Sequence, residues 1–333
     1  MTPQELHMAI ARDRVYPLSF NELNDFNTQK EKIKKTLYGL LGMPQKTTNP
    51  KPVIEFEKTD HEDYDEIRFH VESEPGFFVP AHLILPKERG VKLPTVICLQ
   101  GHSSGMHRSL GRVKYTNDVE GDVGDRAFAL QAVRRGYACV IMEQRGFGEL
   151  KGIEQDGGTN CLHMSLQAIM LGRTLIGERC FDVSRLIDAL EYFEEVDLNR
   201  LGIMGNSGGG TTSFYAACVD PRIKVCMPSC AFCPYYDSII SIHHCSCNYI
   251  PQMLEYMEMH DLSILIAPRP LIIVAGKDDE IFPIEGVKRG FETVKKIYKA
   301  AGAEDNCQLI IGDGGHRFYA DVSWPVFDRY IID

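Results

Sequence analysis

The chain has 333 residues, of which 25% are charged and 44% hydrophobic, and its formal net charge is −10. That length is enough for a substantial core in one large domain or two, and the acidity argues against nucleic acid or anionic membrane as a partner. No apolar run approaches the roughly 20 residues of a membrane-spanning helix.

Met1-Thr2-Pro3-Gln4-Glu5-Leu6-His7 lacks the basic-then-apolar pattern of a secretory signal. From Phe20 to Leu41 the apolar and charged residues recur with the period of one amphipathic helix, stopped by Gly42 and Pro44. Thr47-Thr48-Asn49-Pro50-Lys51-Pro52 reads as a linker. Residues 1–50 are therefore expected to form a helical arm on a catalytic domain of residues 51–333, because Phe20, Leu23, Phe26, Leu37, Leu40 and Leu41 need a surface to cover. Strands are expected over Ile67 to Ser73, Phe77 to Leu85, Thr95 to Gln100 and Ala138 to Met142, with helices over Arg126 to Arg135 and Val183 to Glu195. This order predicts an α/β fold whose central sheet is mostly parallel and doubly wound, with antiparallel strands at its start.

The most informative stretch is Leu201-Gly202-Ile203-Met204-Gly205-Asn206-Ser207-Gly208-Gly209-Gly210. A short apolar strand runs into Gly-x-Ser-x-Gly and then into the small, helix-compatible Thr211 to Ala217. A tight strand-to-helix turn lifts a serine out of the sheet and aims the first helical amides at a reacting carbonyl. Ser207 is thus the candidate nucleophile. Gly101-His102-Ser103-Ser104-Gly105 fits the same pattern but leads into the polar, aperiodic Met106 to Arg112. That copy suits an oxyanion loop, with the His102 or Ser103 amide acting beside the amide of Gly208.

The segment 229–265 breaks the strand–helix rhythm and is expected to be a small insertion near the substrate. In and beside it lie Cys226, Cys230, Cys233, His243, His244, Cys245 and Cys247, but only Cys230 and Cys233 have the Cys-x2-Cys spacing of familiar zinc sites. The expectation is soft apolar packing, with no metal and no cofactor, and with His243 or His244 lining the pocket. Eleven cysteines, an odd number spread mainly through apolar segments, fit reduced thiols in a cytoplasm. Downstream, Pro270 to Ala275 forms an apolar strand ending in Gly276-Lys277-Asp278-Asp279-Glu280, which offers Asp279 as orienting acid and Asp278 as the alternative. Gln308 to Ile311 leads into Gly312-Asp313-Gly314-Gly315-His316, which offers the base, before a closing helix from Asp321 to Ile331. His316 would take the Ser207 proton, Asp279 would hold the imidazole tautomer, and an acyl-enzyme would form and hydrolyse.

These residues resemble the α/β-hydrolase superfamily and, within it, the branch of cephalosporin-C deacetylases and acetyl xylan esterases. Glu143-Gln144-Arg145-Gly146-Phe147-Gly148 is similar to that branch's turn after a central strand. Ala267-Pro268-Arg269-Pro270 through Pro283 is similar to its acid-bearing strand. Cys247-Asn248-Tyr249-Ile250-Pro251 and Gly314-Gly315-His316-Arg317-Phe318-Tyr319 resemble a bacterial esterase-like subgroup with an N-terminal helical arm. Where the best-known deacetylases have glutamine after the nucleophile and tyrosine in the oxyanion loop, Gly208 and His102 stand here. The resemblance implies an α/β-hydrolase fold and a serine esterase for small, acetyl-type esters of a carbohydrate or similar molecule. Glu143, Arg145, His243, His244 and Tyr249 are its candidate pocket residues, Arg145 either pairing with a carboxylate near the site or bracing the turn. The expected partner is a small-molecule ester, with a homo-oligomer left open. A prolyl-oligopeptidase-like peptidase would need a propeller that fifty residues cannot supply, and a dienelactone-type hydrolase carries cysteine at the elbow. A Cys/His metal-binding or scaffold protein is the non-enzymatic alternative.

Overall fold

A computed structural model describes residues 1–46, 50–90, 92–152 and 159–331, so Thr47–Asn49 of the expected linker lie outside the described residues. The arm holds two helices, α1 (Pro3–Arg12) and α2 (Phe26–Leu41). The expected helix from Phe20 starts instead at Phe26, because the Asp25 carboxylate accepts the Thr28 N–H at 2.7 Å and caps it there. The residues before that cap are docked onto the main body: the Phe20 N–H donates to Asp261 Oδ1 at 2.8 Å. Ile33, Leu37 and Leu41 form the buried stripe of α2. Lys30 Nζ donates to the Ala267 carbonyl and the Tyr38 hydroxyl to the Val219 carbonyl, each at 2.6 Å.

The main body continues with β1 (Pro52–Asp60), β2 (Tyr64–Glu74), β3 (Phe77–Pro86), β4 (Leu93–Leu99), α3 (Phe128–Val133), β5 (Ala138–Met142), α4 (Cys161–Met170), α5 (Leu175–Leu190), β6 (Val196–Asn206) and α6 (Gly208–Val219). After β7 (Val225–Ser229) the insertion carries short 3₁₀ turns and the one-turn α7 (Met253–Tyr256). The chain closes with β8 (Leu271–Gly276), α8 (Ile284–Ala300), β9 (Cys307–Gly312) and α9 (Ala320–Ile331). Among the described residues nine strands form one sheet in the order β1-β2-β3-β5-β4-β6-β7-β8-β9. β1, β2 and β3 pair antiparallel, β3 meets β5 antiparallel, and every pair from β5 to β9 is parallel.

A parallel strand must be covered on both faces, which is why β5 and β8 read as unbroken apolar runs and are buried throughout. On one face α2, α5, α6 and α8 contribute Leu37, Ile187, Phe214 and Val294 to the larger core cluster. On the other, α3 and α9 contribute Phe128, Trp324 and Phe327 to the second. Strand order reverses between β5 and β6, around β4, so the loops after β4 and β6 leave the sheet side by side at its carboxyl edge. Crevices that take ligands open at such a point in α/β sheets. Among the described residues no helix is long and apolar enough to cross a membrane.

Candidate active site

β6 ends at Asn206 and α6 begins at Gly208, leaving Ser207 alone in the turn with φ 55° and ψ −124°. L-residues rarely adopt such a backbone, and it persists only where the surroundings hold it. Here the Ser207 N–H donates to the Ser229 carbonyl at the end of β7, and the Ser207 carbonyl accepts the Thr211 N–H, each at 2.8 Å. Two glycines let other chain segments approach. A Cβ on Gly209 would strike the Leu99 carbonyl oxygen, and one on Gly101 would lie 2.7 Å from the Asn206 carbonyl oxygen and 2.9 Å from Ser207 Cβ. The second Gly-x-Ser-x-Gly copy leaves β4 as a loop and enters a 3₁₀ turn, Met106–Leu110. It therefore presents no elbow serine. It runs against the elbow instead, with His102 Cε1 2.9 Å from where a Gly208 Cβ would stand.

Asp279 follows β8 by three residues and is 4% exposed. Its Oδ1 accepts the N–H groups of Ile281 at 2.8 Å and Phe282 at 3.1 Å, and its Oδ2 faces His316 Nδ1 at 2.9 Å. Burial alone would raise its pKa; the His316 bond, the His316 charge and the two backbone N–H groups outweigh that and hold it below the ordinary carboxylate value. His316 leaves β9 on the glycine-rich loop, and its ring stacks on Phe282 with centroids 6.0 Å apart and planes at 14°. Asp278 takes another path, its N–H donating to the Gly314 carbonyl at 2.8 Å.

Ser207 and His316 line one cavity of about 330 Å³ together with Gly101, His102, Ser103 and Gly208. Of the expected pocket residues, His243 and His244 also line it; Glu143, Arg145 and Tyr249 do not. Arg145 braces the fold: its guanidinium pairs with Asp182 at 2.8 Å and Glu74 at 2.9 Å and lies over the Phe77 ring. Glu143 is buried at the end of β5, accepting backbone N–H groups from Met106, Gln144 and Glu149. Tyr249 is half exposed and donates its hydroxyl to the Ile239 carbonyl at 3.0 Å. Burial lowers the pKa of His244, whose Nε2 lies 2.8 Å from Ser238 Oγ and 3.2 Å from the Ile281 carbonyl.

Cys245, expected only as packing, also lines the cavity, with Arg126, Asn248 and Phe282, none of which is expected in the site from sequence. Arg126 has no carboxylate ion pair among the described residues, and burial, then the nearby Arg108, lowers its pKa. Beside the cavity His102 Nε2 lies 3.3 Å from Cys247 Sγ, itself 3.3 Å from Cys245 Sγ. Burial lowers the His102 pKa, but contacts with Cys161 and Cys245 outweigh it and carry the value up to about 9. Cys161, Cys247 and then His102 lower that of Cys245 against its burial.

A family model described as the Abhydrolase family matches residues 14–311. The chain belongs to that family. This α/β-hydrolase is 24% identical over 240 residues to YtaP of Bacillus subtilis (strain 168), a protein provisionally named a hydrolase, with 71% of this chain and 77% of that one covered. A Bacteroides fragilis NCTC 9343 structure, provisionally named an acetyl xylan esterase, superposes with a TM-score of 0.81 at 16% identity over 99% of this chain and 95% of that one. The glucuronoyl esterase from Solibacter usitatus superposes with a TM-score of 0.69 at 13% identity over 96% and 97%. At such identities the shared property is the α/β-hydrolase fold.

Proposed function

We propose that this α/β-hydrolase is a serine carboxylesterase for small esters, acetyl esters of a carbohydrate foremost, acting through Ser207, His316 and Asp279. The observation that carries the reading is the strained Ser207 elbow opening on a cavity that His316 also lines, with His316 Nδ1 2.9 Å from Asp279 Oδ2. With the Nδ1 proton shared with that carboxylate, the imidazole keeps a lone pair on Nε2 for the serine proton. Ser207 Oγ attacks the ester carbonyl, and the imidazolium returns the proton to the leaving alcohol. A water, deprotonated by the same ring, then releases the acid and restores the serine. Negative charge on the carbonyl oxygen falls to the Gly208 amide at the start of α6 and to the His102 or Ser103 amide of the adjoining loop.

Arg126 supports a second reading of the alcohol or acid partner. A guanidinium without a carboxylate suits a hydroxyl-rich or acidic sugar better than a plain alkyl ester, and an ester of a uronic acid fits that preference. All eleven cysteines are free, which supports a reducing compartment such as the cytoplasm. The test is labelling by a fluorophosphonate, with the modified residue mapped by mass spectrometry, alongside turnover of nitrophenyl acetate, acetylated xylo-oligosaccharides and a glucuronate ester. Labelling at Ser207 with acetyl turnover is expected. Labelling elsewhere, or full turnover by Ser207→Ala, would sink the reading.

A further inference from the structure

We propose that His102, Cys161, Cys245 and Cys247 form a tetrahedral site for a single zinc ion, which ties the loop after β4 to the start of α4 and to the insertion. One ring nitrogen and three Sγ atoms lie within 4.8 Å of one another. They come from three separate parts of the chain, and 145 positions separate His102 from Cys247. A zinc–sulfur bond of about 2.3 Å places tetrahedral sulfurs roughly 3.8 Å apart. The observed 3.3 Å between Cys245 and Cys247 is close to that spacing and far from the ~2.05 Å of a disulfide. Three soft thiolates and an imidazole are a donor set that selects zinc, and four protein ligands leave no open position for a substrate. The site is therefore structural.

Arg179 supplies an independent argument from charge. It is fully buried on α5, with Nη2 3.3 Å from Cys161 Sγ, Nε and Nη2 donating to the Arg145 carbonyl, and its plane over the Phe147 ring. Among the described residues no carboxylate neutralises it. A buried guanidinium left that way is costly. Three thiolates around one dication leave one net negative charge, and Arg179 sits where that charge would be. Weak thiol contacts alone would give the guanidinium nothing to neutralise it.

His102 connects the site to the chemistry. Its ring lies against Gly208 and would be held by zinc, so the ion would fix in place the loop that carries it. The sequence pattern conceals such a site, because Cys245 and Cys247 flank one residue and the other two donors join only on folding. The proposal holds whether or not Ser207 is the nucleophile.

The experiment is metal analysis of the untagged, full-length protein expressed with zinc in the medium. About one zinc per chain is expected, released when a mercurial titrates the thiols, and cobalt substitution should give a thiolate-to-metal charge-transfer band with tetrahedral visible absorption. Cys161→Ser and Cys247→Ser should each hold at least about tenfold less metal. Wild-type protein without metal or a cobalt band overturns the proposal, as does full metal content in both variants or an intact mass lowered by the two hydrogens of a disulfide. Should the serine variants fail to fold by circular dichroism, the wild-type release stoichiometry and cobalt spectrum decide the matter alone.

Discussion

Of the four histidines that line the cavity with Ser207, His316 and His102 differ in what stands behind them. His316 Nδ1 meets the Asp279 carboxylate at 2.9 Å, whereas His102 Nε2 meets the Cys247 sulfur at 3.3 Å. A carboxylate kept ionised by two backbone N–H groups holds a proton on the facing nitrogen and leaves the far nitrogen basic. A thiol cluster engages the ring itself, and the role proposed for His102 at the cavity falls to its backbone N–H. On the proposed reading the same side chain is a base on one flank and an anchor on the other, and the partner decides which.

The largest effect should come from removing what both flanks serve. Ser207→Ala is expected to lower kcat by roughly six orders of magnitude while leaving thermal stability about unchanged, because alanine keeps the Cβ and the same φ/ψ and removes only a hydroxyl. Asp279→Asn breaks only the His316 flank. An amide there favours the wrong imidazole tautomer, and a loss on the order of 10⁴ in kcat is expected, with fluorophosphonate labelling slowed in parallel. A fall under tenfold would mean that the 2.9 Å contact is structural. His102→Ala breaks the other flank. Losses of roughly 10–100-fold in kcat/KM are expected, since a loosened loop misplaces an amide but leaves nucleophile and base in place. A loss equal to that of Asp279→Asn would erase the distinction between the two imidazoles.

The His316 flank was legible in the sequence and the His102 flank was not, for a physical reason. Ser207, Asp279 and His316 each follow a parallel strand with an apolar run and glycine at or next to its end; β8 and the last half of β6 are buried, and β9, at the sheet edge, is half-covered but keeps the run Leu309 to Ile311. The family and fold followed from that order. Arg126, Asn248 and Cys245 reach the cavity from loops with no period of their own, so only tertiary structure gathers them. Polarity hid other elements. α5 begins at Leu175 rather than near Val183, because Thr174 caps it and because Glu178, Arg179, Asp182 and Arg185 are buried among partners rather than exposed. Similarly, β1 is an edge strand with Val53 and Ile54 exposed, and half-covered edges carry weak alternation.

The smallest expected effect concerns Glu143, which anchors the far end of the His102 loop through the Met106 N–H at 3.3 Å and the Phe147–Leu150 turn through the Glu149 N–H at 3.2 Å. Burial pushes its pKa from the ordinary 4.5 up to about 7, against those N–H bonds. Below pH 4.5 folded and unfolded chains both carry the proton at this position, so it adds no pH dependence. As pH rises from about 4.5 to about 7 the unfolded carboxyl ionises while the folded one stays protonated, and stability falls. Above that window both states are ionised and the loss is constant, at most about 3 kcal/mol. Glu258, also pushed up to about 7 by burial, acts in the same sense. Glu143→Gln should therefore make the fall of Tm between pH 4.5 and 7 shallower, and adding Glu258→Gln shallower still, while Asp182 and Asp261, also raised by burial, retain part of it. Denaturation followed by circular dichroism at steps across that range would read both slopes. An unchanged slope in Glu143→Gln would mean the carboxylate is already ionised in the fold, held by the three backbone N–H groups rather than neutralised by burial.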